Sequence, residues 1–168
     1  GSAEVGESIT RTAGLKRITM ELGSNSPVIV LDDADLEKVA STLAVTGYAN
    51  AGQVCISSQR VIATPGCHDD LTDALLAKVS ELNAGDQLAE GTDVGPLIRE
   101  SDAKRVENWL GEATGQGAQL LCGGSREGSL IQPALLTDVG SDMKMSCAEL
   151  FGPALGITRA RDIDEAII

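Results

Sequence analysis

The sequence predicts an α/β fold in which a mostly parallel, twisted sheet carries helices on both faces. Short runs rich in β-branched and apolar residues alternate with longer segments whose apolar residues recur at helical spacing. Strands separated by helices in this way are typical of βαβ units, in which a crossover helix returns the chain to a parallel neighbour. The 168 residues, of which 42% are hydrophobic and 23% charged, are enough to build one buried core.

The expected elements follow in chain order. Strands are expected over residues 17–22, 28–31, 60–64, 118–122, 134–136 and 154–158. Helices are expected after the turn at 1–6 up to Gly14, from 32–35 to 50–52, from 69–70 through Leu82, over 101–114, and at the C-terminal residues 167–168. A loop is expected from Asn83 to about Pro96.

Two of these elements carry more detailed predictions. The run Val28–Leu31 is wholly apolar, which is typical of a strand that is covered on both faces. The helix that follows is expected to begin at residues 32–35, which include three aspartates. Acidic side chains favour a helix start because they accept the amide protons that the first turn leaves without a partner.

Charge and composition argue against several classes of function. The formal net charge is −12 at pH 7, and the basic residues are scattered, whereas nucleic-acid binding needs clustered Lys and Arg. Aromatic residues make up only 2% of the chain, too few for a base-stacking surface. No apolar run approaches the ~18 residues of a membrane span, and no leader pattern opens the chain. We therefore expect neither nucleic acid nor a membrane as a partner.

The cysteines bear on the compartment of the protein. The sequence has four of them, at Cys55, Cys67, Cys122 and Cys147. They form no CxxC pair and no tight framework, so we interpret them as reduced thiols of a cytoplasmic protein, with two disulfides as the alternative. Because the chain starts abruptly at Gly1 and stops at Ile168 inside an expected helix, we interpret it as a fragment of a longer protein.

The stretch 50–55 is a candidate for nucleophilic catalysis. Gly52 lets the backbone turn sharply at the end of a helix, which would expose the sulfur of Cys55 and aim nearby amides at one point. A thiolate placed there can attack a carbonyl carbon while an amide holds the oxyanion. The alternative is that Cys55 is a small buried hydrophobic residue, as most lone cysteines are.

Two acidic stretches are further candidates. Glu21 is expected at the carboxyl end of the 17–22 strand, the edge where open α/β sheets bind ligands, and could act there as a general base on water. In the stretch 149–153, Glu149 could accept hydrogen bonds from ribose hydroxyls, and Phe151 could pack against a flat ring. The alternatives are a surface glutamate and an ordinary turn with an apolar anchor.

The single histidine limits other mechanisms. A Cys–His protease would have to use His68, whose neighbour Cys67 is adjacent in sequence and therefore poorly placed to face it. A zinc site built from His68 and the cysteines lacks the usual ligand spacing, so no metal site is predicted.

The three candidate stretches together resemble the catalytic region of the NAD(P)-dependent aldehyde dehydrogenase family. Glu21-Leu22-Gly23 is similar to the family's glutamate signature, Gly52-Gln53-Val54-Cys55 to its cysteine signature, and residues 149–153 to its ExFGP signature, in the same order. The turn at 1–6 and Gly95–Ile98 also resemble family segments. Ser24 departs from the pattern, because members often have a second glycine there, and Ala148 replaces a second acidic residue.

The resemblance implies a role for each matching residue. Cys55 would attack the aldehyde to give a thiohemiacetal and, after hydride transfer to the nicotinamide, a thioester, while its backbone N–H would help to hold the oxyanion. Glu21 would activate the water that hydrolyses the thioester. Val54 and Ile56 would border the aldehyde pocket, and Arg60 is a candidate for holding an anionic group of the substrate.

The resemblance also implies the cofactor, which is NAD or NADP. Glu149 would bind the nicotinamide ribose, and Phe151 would pack near the nicotinamide. Ser2 would lie near the pyrophosphate, and Leu22 and Gly23 would complete the cofactor side of the site.

The organisation of the protein follows from the same resemblance. Residues 1–20 would be the tail end of the cofactor-binding domain, and residues 21–168 a catalytic domain that is truncated at its C-terminus. The full-length protein would oxidise a small-molecule aldehyde to a carboxylic acid as a homodimer or homotetramer. The isolated chain is expected to have little or no turnover, because half of the cofactor site would lie upstream of it.

Two alternatives stay open. The chain could be a non-catalytic module for assembly or binding, although the presence of both Cys55 and Glu21 counts against this reading. It could also come from an acylating relative that passes its thioester to coenzyme A. Relatives of that type commonly lack the water-activating glutamate, so Glu21 favours hydrolysis.

Overall fold

The computed structural model describes residues 1–167, and Ile168, at the end of the expected C-terminal helix, lies outside the described residues. The helices are α1 (Ala3–Ala13), α2 (Leu36–Tyr48), α3 (His68–Ser80), α4 (Glu100–Gly115), α5 (Lys144–Cys147) and α6 (Ile163–Ile167). The strands are β1 (Pro27–Val30), β2 (Arg60–Ala63), β3 (Gln119–Cys122), β4 (Arg126–Glu127), β5 (Leu130–Ile131), β6 (Ala134–Thr137) and β7 (Ala154–Arg159). None of these helices is both long and apolar enough to cross a bilayer.

Five strands form the main sheet, in the order β1-β2-β7-β6-β3. The four strands β1, β2, β7 and β6 run parallel, and β3 pairs antiparallel with β6 at one edge. The predicted α/β fold with a mostly parallel sheet is therefore confirmed. The parallel direction matters for function, because it brings the loops that precede these strands to the same edge of the sheet.

Helices cover both faces of the sheet, but unequally. Side chains alternate between the faces of a strand, so Val61 and Ile62 point in opposite directions. Val61 belongs to the main core, which it shares with Leu43 of α2 and Leu71 of α3. Ile62 belongs to a separate small cluster on the other face, where it packs with Ala166 of α6. The larger core therefore lies on the Val61 face of the sheet, and buried residues of α4 belong to it as well.

Helix α2 connects the core to the loop that carries Cys55. It begins as predicted, because the side chain of Asp35 accepts a hydrogen bond from the backbone N–H of Lys38 at 3.1 Å. At its other end, the buried hydroxyl of Tyr48 donates to the carbonyl oxygen of Ala134 in β6 at 2.7 Å. Burial raises the pKa of Tyr48, which keeps this hydroxyl protonated and able to donate. The end of α2 is thus tied to the centre of the sheet.

The turn expected at residues 1–6 is helical from Ala3 onward, because the side chain of Ser2 caps the start of α1.

Two further predictions about the first part of the chain are wrong. Residues 17–22 form no strand, because within residues 1–167 they have no neighbouring strand to pair with. The expected strand at 28–31 exists as β1, but it is not covered on both faces, since Ile29 is 40% exposed and Leu31 is 37% exposed. The physical reason is the position of β1 at an edge of the described sheet, where less of the structure packs against it.

Two short elements are present that were not predicted from the sequence. The strands β4 and β5 form an antiparallel hairpin around Gly128-Ser129, in which Gly128 has a φ of 59°. A glycine followed by serine between two short segments is a known hairpin signal, so this element was detectable from the sequence. The single turn of α5 before Ala148 gave no such signal, because a four-residue helix is too short to show a period.

Tyr48→Phe should lower the free energy of unfolding by about 1 kcal/mol, because it removes one buried hydrogen bond and leaves the size of the ring unchanged. The measurement is urea denaturation of both forms, with the slope of the unfolding free energy against urea expected to stay the same. Equal stability of the two forms would show that the bond between Tyr48 and Ala134 does not hold the end of α2.

Candidate active site

The loop that carries Cys55 begins with an unusual turn. A 3₁₀ turn at Ala49–Gly52 follows α2, and within it Asn50 and Ala51 have φ angles of 53° and 56°. Gly52 continues the left-handed conformation with a φ of 68°. Three successive left-handed residues reverse the chain direction abruptly, which confirms the sharp turn expected at Gly52. The turn leaves Cys55 exposed at the surface rather than buried.

Side-chain hydrogen bonds fix this loop on both sides of Cys55. The Nδ2 of Asn50 donates to the carbonyl oxygen of Gln53 at 3.2 Å, and the Nε2 of Gln53 donates to the carbonyl oxygen of Asn50 at 3.1 Å. The Oε1 of Gln53 accepts the backbone N–H of Ile98 at 3.1 Å. After Cys55, the hydroxyl of Ser57 donates back to the carbonyl oxygen of Gly47 at the end of α2.

The turn at 149–153 lies directly against the Cys55 loop. The backbones of Gly52 and Gly152 touch, and a Cβ on Gly52 would collide with the carbonyl oxygen of Gly152. Position 52 therefore accepts only glycine. The half-buried Phe151 next to this contact has a φ of 49°. The contact places the candidate nucleophile and the candidate cofactor residues in neighbouring loops.

Residues 23–26 bridge the other two segments. The backbone N–H of Ser24 donates to Oε1 of Glu149 at 3.3 Å, and a Cβ on Gly23 would collide with the same carboxylate. The hydroxyl of Ser26 donates to the carbonyl oxygen of Cys55 at 3.3 Å. The segment that follows Glu21 therefore contacts both the cysteine loop and the Glu149 turn.

Backbone strain is concentrated in these three segments. Five non-glycine residues within residues 1–167 have a positive φ, and four of them are Ser26, Asn50, Ala51 and Phe151. Non-glycine residues in the left-handed region cost on the order of 1–3 kcal/mol each and cluster at functional sites. The strain is an observation independent of the sequence motifs, and it points to the same place.

The site lies at the amino edge of the parallel strands. The three segments immediately precede β1, β2 and β7, so they meet where those strands begin. The prediction that Glu21 stands at the carboxyl end of a strand is wrong, since residues 17–22 form no strand and the site occupies the opposite edge. The sharp turns that build the site all come before the strands, which places its side chains on this edge.

Comparisons with known proteins show the family of the chain. The profile of the Aldehyde dehydrogenase family matches residues 1–168. The chain belongs to the aldehyde dehydrogenase family. It is 45% identical over 167 residues to a 3-sulfolactaldehyde dehydrogenase of Priestia aryabhattai, and the match covers 99% of this chain and 35% of that protein.

Solved structures show the same fold. The crystal structure of an NADP-dependent glyceraldehyde-3-phosphate dehydrogenase from Bacillus halodurans, complexed with NADP, superposes with a TM-score of 0.96 at 36% identity and covers 99% of this chain and 35% of that one. A Mycobacterium tuberculosis aldehyde dehydrogenase complexed with NAD⁺ gives a TM-score of 0.94 at 35% identity, covering 99% and 36%. The chain thus spans about a third of the length of the relatives it matches.

Three further residues suggested by the aldehyde dehydrogenase resemblance make contacts with the N-terminal segment and α1. Glu21 is exposed, and its backbone carbonyl oxygen accepts a hydrogen bond from the amino group of Gly1 at 2.7 Å. The hydroxyl of Ser2 accepts the backbone N–H of Val5 at 3.3 Å and so caps α1. Leu22 packs against Gly6 on the inner face of the same helix.

The two residues beside Cys55 differ in exposure. Val54 is half-buried, whereas Ile56 is 78% exposed. Arg60 lines a cavity of about 880 Å³ together with residues 138–141 and 158–162, and neither Cys55 nor Glu149 contributes to the lining of that cavity.

The other thiols and the histidine have settings that differ from that of Cys55. Cys67 is 1% exposed, and burial raises the pKa of the half-buried Cys122. Cys147 is exposed, like Cys55. The buried ring of His68 contacts the carboxylate of Asp69 at 2.8 Å. Hydrogen bonds from His68 and from Arg159 lower the pKa of Asp69.

Within residues 1–167, no group of three or more His, Cys, Asp or Glu side chains is placed to hold a metal ion.

Several residues that shape the site had no signal in the sequence. They are Asn25, Ser26, Gln59 and Arg105. Each acts by a hydrogen bond between its side chain and a backbone group of another segment, and such long-range pairs leave no local pattern in the sequence.

Gly52→Ala should destabilise the protein by about 2 kcal/mol or more, because alanine disfavours the positive φ and its Cβ would collide with the Gly152 carbonyl. Gly111→Ala is the matched control, since a Cβ at Gly111 in α4 has no atom within 4 Å. The control should be neutral or more stable by up to ~1 kcal/mol, as alanine favours a helix. Urea denaturation gives both values, and equal effects at the two positions would contradict the close contact.

Proposed function

We propose that the chain is the catalytic region of an NAD(P)-dependent aldehyde dehydrogenase that oxidises a small aldehyde to the carboxylic acid. The observation that carries the proposal is the contact between the turn before Cys55 and the turn at 149–153. This contact brings the loop that carries the exposed Cys55 against the turn that carries the half-buried Glu149 and Phe151. Within this proposal, residues 1–20 are the end of the cofactor-binding domain and residues 21–168 belong to the catalytic domain.

The residues present fit a nicotinamide cofactor. Glu149 keeps one carboxylate oxygen bonded to the Ser24 N–H, and the absence of a side chain at Gly23 leaves room for this carboxylate. A carboxylate held in this way can accept hydrogen bonds from the hydroxyls of a ribose. Phe151 supplies an apolar ring surface beside it. The cofactor, when bound, accepts the hydride that leaves the aldehyde carbon.

The first chemical step belongs to Cys55. Once the thiol has lost its proton to solvent, its sulfur attacks the carbonyl carbon of the aldehyde, a C–S bond forms at the expense of the C=O π bond, and the carbonyl oxygen takes up the negative charge. Within residues 1–167 the backbone N–H of Cys55 has no hydrogen-bond acceptor, so it is free to donate to this oxyanion. Loss of hydride then leaves a thioester on Cys55.

The second step is hydrolysis, which we assign to Glu21. The Glu21 side chain is exposed and has no hydrogen-bond partner within residues 1–167, so it is free to take a proton from a water molecule. That water attacks the thioester carbon, the C–S bond breaks, and the thiol and the carboxylic acid are released. A glutamate in this role separates a hydrolytic enzyme from one that transfers its acyl group to coenzyme A.

The substrate we propose is a small aldehyde, bordered by Val54 and Ile56. Two relatives are named for 3-sulfolactaldehyde and glyceraldehyde-3-phosphate, which are both short hydroxyaldehydes with an anionic group. Arg60, the basic residue considered for an anionic group of the substrate, lines a cavity to which Cys55 does not contribute, and this observation does not support that role. We further propose that the full-length protein is a cytoplasmic homodimer or homotetramer, and that the chain alone has little turnover.

An aldehyde-like electrophile should label Cys55 stoichiometrically before the other three thiols of the chain. Cys67 is buried and Cys122 has a raised pKa, so both should react slowly. Cys147 is the matched control because it is exposed as well. Peptide mass spectrometry of the full-length protein gives the order. Labelling of Cys147 ahead of Cys55 would favour a non-catalytic module.

Glu21→Gln in the full-length enzyme should stall deacylation. One equivalent of NAD(P)H should form as a burst, and steady turnover should then fall by at least about 100-fold, since general-base catalysis contributes a factor of that order. Glu4→Gln, an exposed change in α1, is the control. Unchanged turnover in Glu21→Gln would refute the assignment of the base, and restoration of turnover by coenzyme A would indicate the acylating class.

A further inference from the structure

Two side chains hold the backbone of Leu150, the residue between Glu149 and Phe151. The buried backbone N–H of Leu150 donates to Oε1 of Gln59 at 2.7 Å. The carbonyl oxygen of Leu150 accepts a hydrogen bond from Nη1 of Arg105 at 2.6 Å. Both available backbone groups of Leu150 are therefore bonded to side chains from segments 45 or more residues away.

The residue next to this pair of bonds is strained. Phe151 follows Leu150 directly and has a φ of 49°, which disfavours a side chain as large as phenylalanine. Such a conformation persists only where the surrounding structure holds it in place. The two bonds to Leu150 act on the peptide groups on either side of its Cα, so they oppose a return of the turn to an ordinary conformation.

Both side chains stand on rigid supports. Gln59 is 1% exposed and immediately precedes β2, at the end of the loop that carries Cys55. Arg105 lies on α4, and its guanidinium group stacks over the ring of Trp109 at 5.3 Å from the centroid. The next residue on α4, Val106, packs against Gly152 in the same turn. The turn is thus supported from the cysteine loop and from α4.

The orientation of the Gln59 amide shows what it is arranged to do. Its Oε1 must face Leu150, because the group on the other side of the bond is an N–H donor. As a result its Nε2 is buried with no hydrogen-bond partner within the described residues. A buried donor without a partner destabilises the fold. The Gln59 amide therefore keeps the hydrogen bond between its Oε1 and the Leu150 N–H although its Nε2 is left without an acceptor.

We propose that Gln59 and Arg105 are positioning residues that hold Glu149 and Phe151 in the geometry needed to bind the nicotinamide cofactor. The inference rests on the proposed function, because it takes Glu149 and Phe151 as cofactor contacts. Neither Gln59 nor Arg105 touches the reacting atoms. Their effect passes through the Leu150 peptide, which they fix relative to the loop that carries Cys55.

The test uses the full-length protein with Gln59→Met and Arg105→Met, which remove the bond and keep much of the side-chain volume. Each change should raise the Kd of the NAD(P) cofactor about tenfold, the effect of losing one buried hydrogen bond. The KM for the aldehyde and the rate of Cys55 alkylation without cofactor should stay within about twofold. Arg105→Lys, which keeps a donor, should recover most of the affinity.

Gln116→Met is the matched control, since Gln116 is exposed at the end of α4 and its side chain makes no hydrogen bond within the described residues. It should leave the cofactor Kd unchanged. The double variant should lose little more than either single one, because both bonds hold the same peptide. If Gln59→Met does not fold, the comparison of Arg105→Met with Arg105→Lys is sufficient for the test.

The outcomes separate the two proposals. An unsubstituted full-length protein that reduces NAD(P) with an aldehyde, but whose Gln59→Met and Arg105→Met forms bind cofactor like the Gln116→Met control, overturns the positioning role and leaves the proposed function intact. Equal losses in cofactor affinity and in Cys55 alkylation would also overturn it, since they indicate general disruption. Absence of cofactor binding in the unsubstituted protein overturns the proposed function itself.

Discussion

The site depends on one close contact between two backbones. Gly52 and Gly152 approach so closely that a single Cβ at position 52 would overlap the carbonyl oxygen of Gly152. Main chain that packs against main chain leaves little freedom, because neither side can adjust by changing a rotamer. This contact sets the positions of Cys55, which follows Gly52 by three residues, and of Phe151, which immediately precedes Gly152. The strained residues around it are the cost of bringing the two turns together.

Side chains that bond to backbone groups keep this arrangement in place. The loops before β1, β2 and β7 lie over a buried core, so their N–H and C=O groups need partners that a regular ladder does not provide. Ser57, Gln59, Asn25 and Arg105 supply such partners, each reaching a backbone atom of another segment. The loops of the site are therefore held by many hydrogen bonds between side chains and backbone groups, whereas its proposed catalytic groups, Cys55 and Glu21, are exposed.

The sequence predicted the regular elements well and the contacts between them poorly. Helix α2 was predictable because Asp35 caps it and its apolar residues recur at helical spacing. The extended segment 17–22 was mistaken for a strand because its apolar alternation is a local signal, whereas a strand exists only if a neighbour pairs with it. The candidate site came from motif order and not from geometry. The bond between Gln59 and Leu150 spans 91 residues, and nothing in the residues around either position indicates it.

Exposure alone does not distinguish Cys55 from Cys147, since both thiols are open to solvent. The difference lies in what surrounds each sulfur. Cys147 ends the four-residue helix α5 and lines the cavity that holds Arg60 and several acidic residues. Cys55 follows three left-handed residues, and its carbonyl group is held by Ser26 while its N–H is left free within the described residues. A bound carbonyl group needs a nucleophile and a donor that are fixed relative to each other. Among the cysteines that the structure describes, Cys55 combines an exposed sulfur with a backbone N–H that has no acceptor, whereas the N–H of Cys147 is bonded to the carbonyl oxygen of Met143. Placement of the backbone, rather than access of solvent, therefore supports the proposal that Cys55 is the nucleophile.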